Sequence, residues 1–155
     1  MSSTSAYANA GKSESAEMVF RAMYNEYQNG NKSVRPTRRT FNALLAAWSR
    51  STTAADSERL KAILNIMEQI PKMVGLDIKP DVVSYNCLLG CLSRMNTDDA
   101  RVRAENVLEE MERKASSEND DTIAPDKYSY TSVMKVRTFT LRKDVTVKCV
   151  DFCLT

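Results

Sequence analysis

With 155 residues, 43% of them hydrophobic and 27% charged, the chain has the size and apolar content of one packed domain rather than a disordered segment. Its 22 Lys+Arg against 20 Asp+Glu leave a net charge of +2, so overall basicity does not argue for a nucleic-acid partner. No run of about 18 apolar residues predicts a membrane span, and 4 glycines with no histidine leave little for a phosphate loop or an imidazole acid–base site.

Residues 1–15 are rich in Ser and Ala, hold Lys12 as their one base and lack an apolar core. They match neither a secretory signal nor an Arg-rich transit peptide, so an organellar leader is expected upstream of Met1. The first periodic segment comes next, with Ala16, Val19, Phe20 and Met23 at i, i+3, i+4 and i+7, the spacing of one apolar helix face. After the polar Asn29-Gly30-Asn31, Pro36-Thr37 opens a second helix, since proline stops the preceding backbone and threonine can cap the new helix. Its stripe is Phe41, Leu44, Leu45 and Trp48, and its expected end is Ser51-Thr52-Thr53. A third helix carries Leu60, Ile63, Leu64 and Met67 ahead of a polar connection from Lys72 to Lys79.

The same order then returns. Pro80-Asp81 opens a helix with Tyr85, Leu88, Leu89 and Leu92, ending near Asn96-Thr97; Ala104, Val107, Leu108 and Met111 mark the next, with a connection after it from Ser116 to Ala124. Pro125-Asp126 opens a last copy. The three prolines stand 44 and 45 residues apart, and a fixed period in this range marks a stacked array. A single hairpin cannot bury its apolar faces, so the predicted fold is all-α: an α-solenoid of stacked antiparallel helical hairpins with first helices lining the concave side.

The expected units are a partial repeat 1–37, repeats 38–81 and 82–126, a partial repeat 127–136, and an irregular C-terminal tail 137–155. In that tail Thr138 to Leu141 and Val145 to Val150 alternate like a strand, which leaves a short strand or an unstructured tail open. Phe41, Trp48, Tyr85 and Tyr130 are expected in the core, and Met67 and Met111 in helix packing. Two full hairpins fall short of the roughly three repeats a stack needs, so a fragment of a longer protein, or one with unrecognised caps, is expected.

Charge is unevenly placed. Val34 to Arg50 holds Arg35, Arg38, Arg39 and Arg50 and no acid, whereas in Asp98 to Lys114 the acids outnumber the bases, giving a solenoid two unlike faces. Cys87/Cys91 and Cys149/Cys153 are i, i+4 pairs, wider than the usual zinc spacings and without histidine, and read as buried, reduced thiols. No nucleophile signature is present. The sequence therefore predicts no enzyme, no metal, no cofactor and no small-molecule substrate.

The string Pro80-Asp81-Val82-Val83-Ser84-Tyr85-Asn86-Cys87-Leu88-Leu89, with Ala104-Glu105-Asn106-Val107-Leu108-Glu109-Glu110-Met111 after it, resembles the pentatricopeptide repeat family, and the copy from Arg38 looks like the same motif. The resemblance covers roughly Ala6 to Val136. It implies single-stranded RNA binding, one base per repeat, each read by two or three side chains. Carried over by position, Asn42 and Asn86 match the base-reading residue, Asp81 and Asp126 its partner, and Thr131 a third reader. An Asn/Asp pair implies a uracil preference at two positions, because an amide both donates and accepts. The stacking residue matches Arg39, Val83 and Tyr128, while Arg35, Arg38 and Lys127 are candidate phosphate contacts. The resemblance also implies a mitochondrial or plastid setting, although no targeting peptide is visible in this chain. A helical scaffold holding a protein partner is the second reading, favoured by the near-zero net charge.

Overall fold

The computed structural model describes residues 13–50, 53–74 and 78–139, with backbone alone at 70–74. Apart from one 3-10 turn at Lys32–Val34, the regular structure among the described residues is α-helical. It comprises α1 Ser13–Gln28, α2 Arg38–Ser49, α3 Ala54–Val74, α4 Val82–Met95, α5 Asp98–Glu118 and α6 at 127–139.

The first helix of each hairpin starts on a side-chain cap. Thr37 and Asp81, both in extended backbone, accept from the N–H groups of Thr40 and Ser84, while those two hydroxyls return to the cap backbone. Asp126 repeats the arrangement with Ser129 at the head of α6. Reciprocal capping satisfies two otherwise orphaned groups at each start. At the other end, left-handed Asn96 (φ 52°) closes α4, and Thr97 caps α5 one residue later, which makes a tight hairpin.

The helices pack in two layers. α2 and α4 lie against each other, and α3 and α5 pack onto them with their backbones farther apart, bridged by the Arg103–Glu58 and Lys114–Glu68 ion pairs. First helices whose backbones approach closely, beside second helices whose backbones stand apart, bend the stack toward the first layer, so α2 and α4 line the inner face. The core is continuous from Ala16 to Val133, as expected when only neighbouring repeats share buried surface. Phe41, Trp48 and Tyr85 are all buried, as are Met67 and Met111.

A polar latch links successive hairpins. The Tyr85 hydroxyl donates to Glu68 at 2.9 Å, and Lys114 Nζ reaches the same hydroxyl at 2.8 Å, Glu110 at 2.8 Å and Glu68. Burial alone would push the Lys114 ammonium down, but these partners outweigh it and hold the charged form well above the ordinary lysine range. Tyr130, one repeat on, donates to Glu112 at 2.9 Å, the Glu68 position.

The structure corrects several expectations. Tyr130 is 47% exposed rather than buried, because no described helix covers α6 as α5 covers α4. α3 runs on to Val74 and α5 to Glu118, into stretches whose polarity predicts connections. In α5 it is Asn119, at φ 49°, that ends the helix, not the serines. α6 continues to residue 139, so Thr138 and Phe139 are helical; the rest of the strand-like tail lies outside the described residues.

Candidate functional site

A repeated polar feature of the inner layer sits at the seams between hairpins. Where α2 meets the start of α4, Asn42 Nδ2 donates to Asp81 Oδ1 at 3.2 Å, and the Ser84 hydroxyl donates to Asn42 Oδ1 at 2.6 Å. Ser84 Oγ also lies 3.0 Å from Asp81 Oδ1 and accepts from the Asp81 N–H at 3.1 Å. Where α4 meets α6 the same triangle is rebuilt. Asn86 Nδ2 donates to Asp126 Oδ1 at 3.1 Å, and the Ser129 hydroxyl donates to Asn86 Oδ1 at 2.7 Å.

These contacts join residues 39 to 43 positions apart, so they depend on the stacking and not on local turns. Ser84 and Ser129 are fully buried while Asn42 and Asn86 are half-buried at the surface. Burial would raise the Asp126 carboxyl, but bonds from the Ser129 backbone, Asn86 and the Ser129 hydroxyl outweigh it and hold it below the ordinary carboxylate range. A depressed carboxylate stabilises the fold above its unfolded pKa, and that contribution disappears as pH falls through the lower folded value.

Both predicted pairs are therefore brought together, but one detail differs. The resemblance implies an amide that offers both a donor and an acceptor to a base. Its carbonyl instead accepts from a serine with one of its lone pairs, because the acceptor-only carboxylate draws the NH2 end toward itself and leaves the carbonyl facing the hydroxyl. Each seam leaves one amide hydrogen without a partner among the described residues, and one carboxylate oxygen outside the triangle. Ser84 and Ser129 escape a sequence reading because a serine three residues past Asp already has a sufficient role as a capping partner.

The other predicted residues are more varied. Arg39, Val83 and Tyr128 are all exposed, Val83 at 52% and Tyr128 at 50%. Arg35 and Lys127 are also on the surface. Arg38 stands 3.7 Å from Asp81 Oδ2, so its guanidinium compensates that carboxylate as well as facing solvent. Thr131 donates its hydroxyl to the Lys127 carbonyl of its own helix at 2.6 Å, which leaves its oxygen as an acceptor only. Cys87 and Cys91 are pushed up by burial, to about 12 and about 11, and stay protonated at neutral pH as inert packing thiols. Cys149 and Cys153 lie outside the described residues. Among the described residues no acidic or sulfur cluster is arranged to hold a metal, and no helix is long and apolar enough to cross a membrane.

Tyr128 explains the glycine inside α4. A Cβ on Gly90 would lie 3.0 Å from the Tyr128 hydroxyl oxygen, so the phenol reclines on α4 one turn beyond Asn86. Ala46 holds the same register place in α2, where the position of Tyr128 is taken by the shorter Val83. Helical glycine costs about 0.5–1 kcal/mol relative to alanine, and the clashing atom is the far end of a half-exposed side chain. Gly90→Ala is therefore expected to raise stability by about 0.5 kcal/mol, the helix gain less the lost contact. In a Tyr128→Ala background the gain should reach the full helix value, and a double-mutant cycle of urea midpoints reads the difference.

Stacked helical hairpins that repeat one amide–carboxylate–hydroxyl triangle at each seam define an α-solenoid repeat protein with a polar inner face. The chain belongs to the pentatricopeptide repeat family: the pentatricopeptide repeat domain model matches residues 4–50 and 70–138. A pentatricopeptide repeat-containing protein of Arabidopsis thaliana is 33% identical over 109 residues, which is 70% of this chain and 16% of that protein. The small ribosomal subunit protein mS78 (rPPR3a) of Arabidopsis thaliana is 32% identical over 110 residues, 71% of this chain and 23% of that protein. The chain thus spans less than a quarter of the length of either relative. No solved structure matches it.

Proposed function

We propose that this chain binds single-stranded RNA with sequence selectivity, as part of the processing, stability or translation of organellar transcripts. The observation that supports this reading is the repetition of one amide–carboxylate pair, Asn42/Asp81 then Asn86/Asp126, on successive hairpins of the inner layer. Unpaired bases expose their edges at a spacing a solenoid can follow, and one pair per seam suits one base per repeat. Arg39, Val83 and Tyr128 supply guanidinium, aliphatic and aromatic faces for stacking, and Arg35, Arg38 and Lys127 supply charge for phosphates. Thr131 is the third reader. The proposed units are 38–81 and 82–126, each closing on the Asp of one pair, in a mitochondrial or plastid setting.

At about 1–3 kcal/mol of stacking per base, two full sites bind weakly, so the preference is best read as a ratio. Filter binding at fixed, low salt is expected to show uridine-rich oligomers retained about tenfold better than adenosine-rich ones, the worth of one or two hydrogen bonds. Equal retention of the two, or retention of neither, rejects the reading.

A further inference from the structure

Resting on the RNA reading above, we infer that Ser84 and Ser129 determine base selectivity as positioning residues, by holding each Asn amide in one orientation. Each hydroxyl is buried, accepts the backbone N–H of the capping Asp at 3.1 Å, and has its own proton left to give. That proton goes to the Asn carbonyl, at 2.6 Å for Ser84 and 2.7 Å for Ser129. The carboxylate on the other side accepts only, so a flipped amide would set its carbonyl against a carboxylate oxygen, and the short hydroxyl contact holds the carbonyl in the opposite place. The seam then offers a base one amide N–H and one carboxylate oxygen, a fixed donor beside a fixed acceptor. Without the hydroxyl the carbonyl is released as a second acceptor, and one tether no longer fixes the amide plane. Bases with either order of donor and acceptor can then be met, so selectivity falls while stacking and charge are untouched.

Ser84→Ala with Ser129→Ala, made in the full chain, is compared with wild type by fluorescence anisotropy on uridine-rich and adenosine-rich oligomers. The ratio of affinities is expected to fall by about tenfold, with adenosine-rich binding nearly unchanged. Ser84→Thr with Ser129→Thr keeps the hydroxyls and should restore the ratio, since Thr40 already occupies the equivalent buried place in α2. An unchanged ratio in the folded alanine variant, or equal loss in the alanine and threonine variants, overturns the inference. Should the double alanine variant fail to fold, Ser129→Ala alone, in α6 where the layer is less covered, carries the same test. The side-chain amide protons of Asn42 and Asn86 in RNA-free protein give a separate readout by NMR. They should exchange faster and shift in the alanine variants, and if they do not move the inference fails. Wild type that binds neither oligomer, with amide signals that do move, refutes the RNA reading and leaves the positioning role standing.

Discussion

Leu89→Ala is expected to lower stability by about 2–5 kcal/mol, whereas Met134→Ala at the same place in the next repeat should cost under about 0.5 kcal/mol. Leu45, Leu89 and Met134 hold one register position, eight residues after Thr37, Asp81 and Asp126. Leu89 is 0% exposed, in the helix that packs against α2, α3 and α5 at once, while Met134 is 59% exposed on α6. Removing the leucine leaves a cavity in the core, on a helix held by three others, which cannot relax freely without disturbing its neighbours. A domain of this size has only about 5–15 kcal/mol in hand, and its stability is a sum over adjacent repeats. Loss at α4 therefore severs the array in the middle. Urea titration monitored by circular dichroism checks the pair. Similar midpoint shifts for the two variants would show that sequence register, and not the covering layer, sets burial.

That contrast marks the limit of what the sequence can tell. The helices and their hairpin order are legible because one i, i+3, i+4, i+7 stripe recurs in α1 to α5 and a proline precedes the cap of α2, α4 and α6, and the structure places α1 to α6 in that order. Tyr130 misleads because its stripe position is that of Phe41 and Tyr85, but burial also needs a helix on the other side. The ends of α3 and α5 lie beyond their expected places because polarity suggests a connection, although helical hydrogen bonding continues beneath it. Asn42, Asp81, Asn86 and Asp126 are legible as pairs only through the family resemblance. What those amides do with their carbonyls is not legible, since it depends on a serine 42 or 43 residues away whose local role as a cap is already complete. Arg38 is similar: an exposed base in sequence, it has a carboxylate beside it only once α2 and α4 are side by side.

Asp81 should separate stability from recognition when replaced two ways. Its carboxylate caps α4 by accepting the Ser84 N–H at 3.0 Å, holds Asn42 at 3.2 Å and stands beside Arg38. Asp81→Ala removes the cap, worth about 1 kcal/mol, and strands the half-buried NH2 of Asn42, so a total loss of about 2–3 kcal/mol is expected. Asp81→Asn keeps a capping oxygen, which asparagine supplies as well as aspartate, and should cost about 1 kcal/mol or less. Its NH2 then faces Arg38 and replaces the acceptor outside the triangle by a donor. Uridine preference at this seam is therefore expected to fall as far in Asp81→Asn as in Asp81→Ala, while thermal melts place the asparagine variant close to wild type. The alternative, in which Asp81 is only a helix cap, makes the opposite forecast: selectivity would track stability, and Asp81→Asn would discriminate bases as well as the parent chain does.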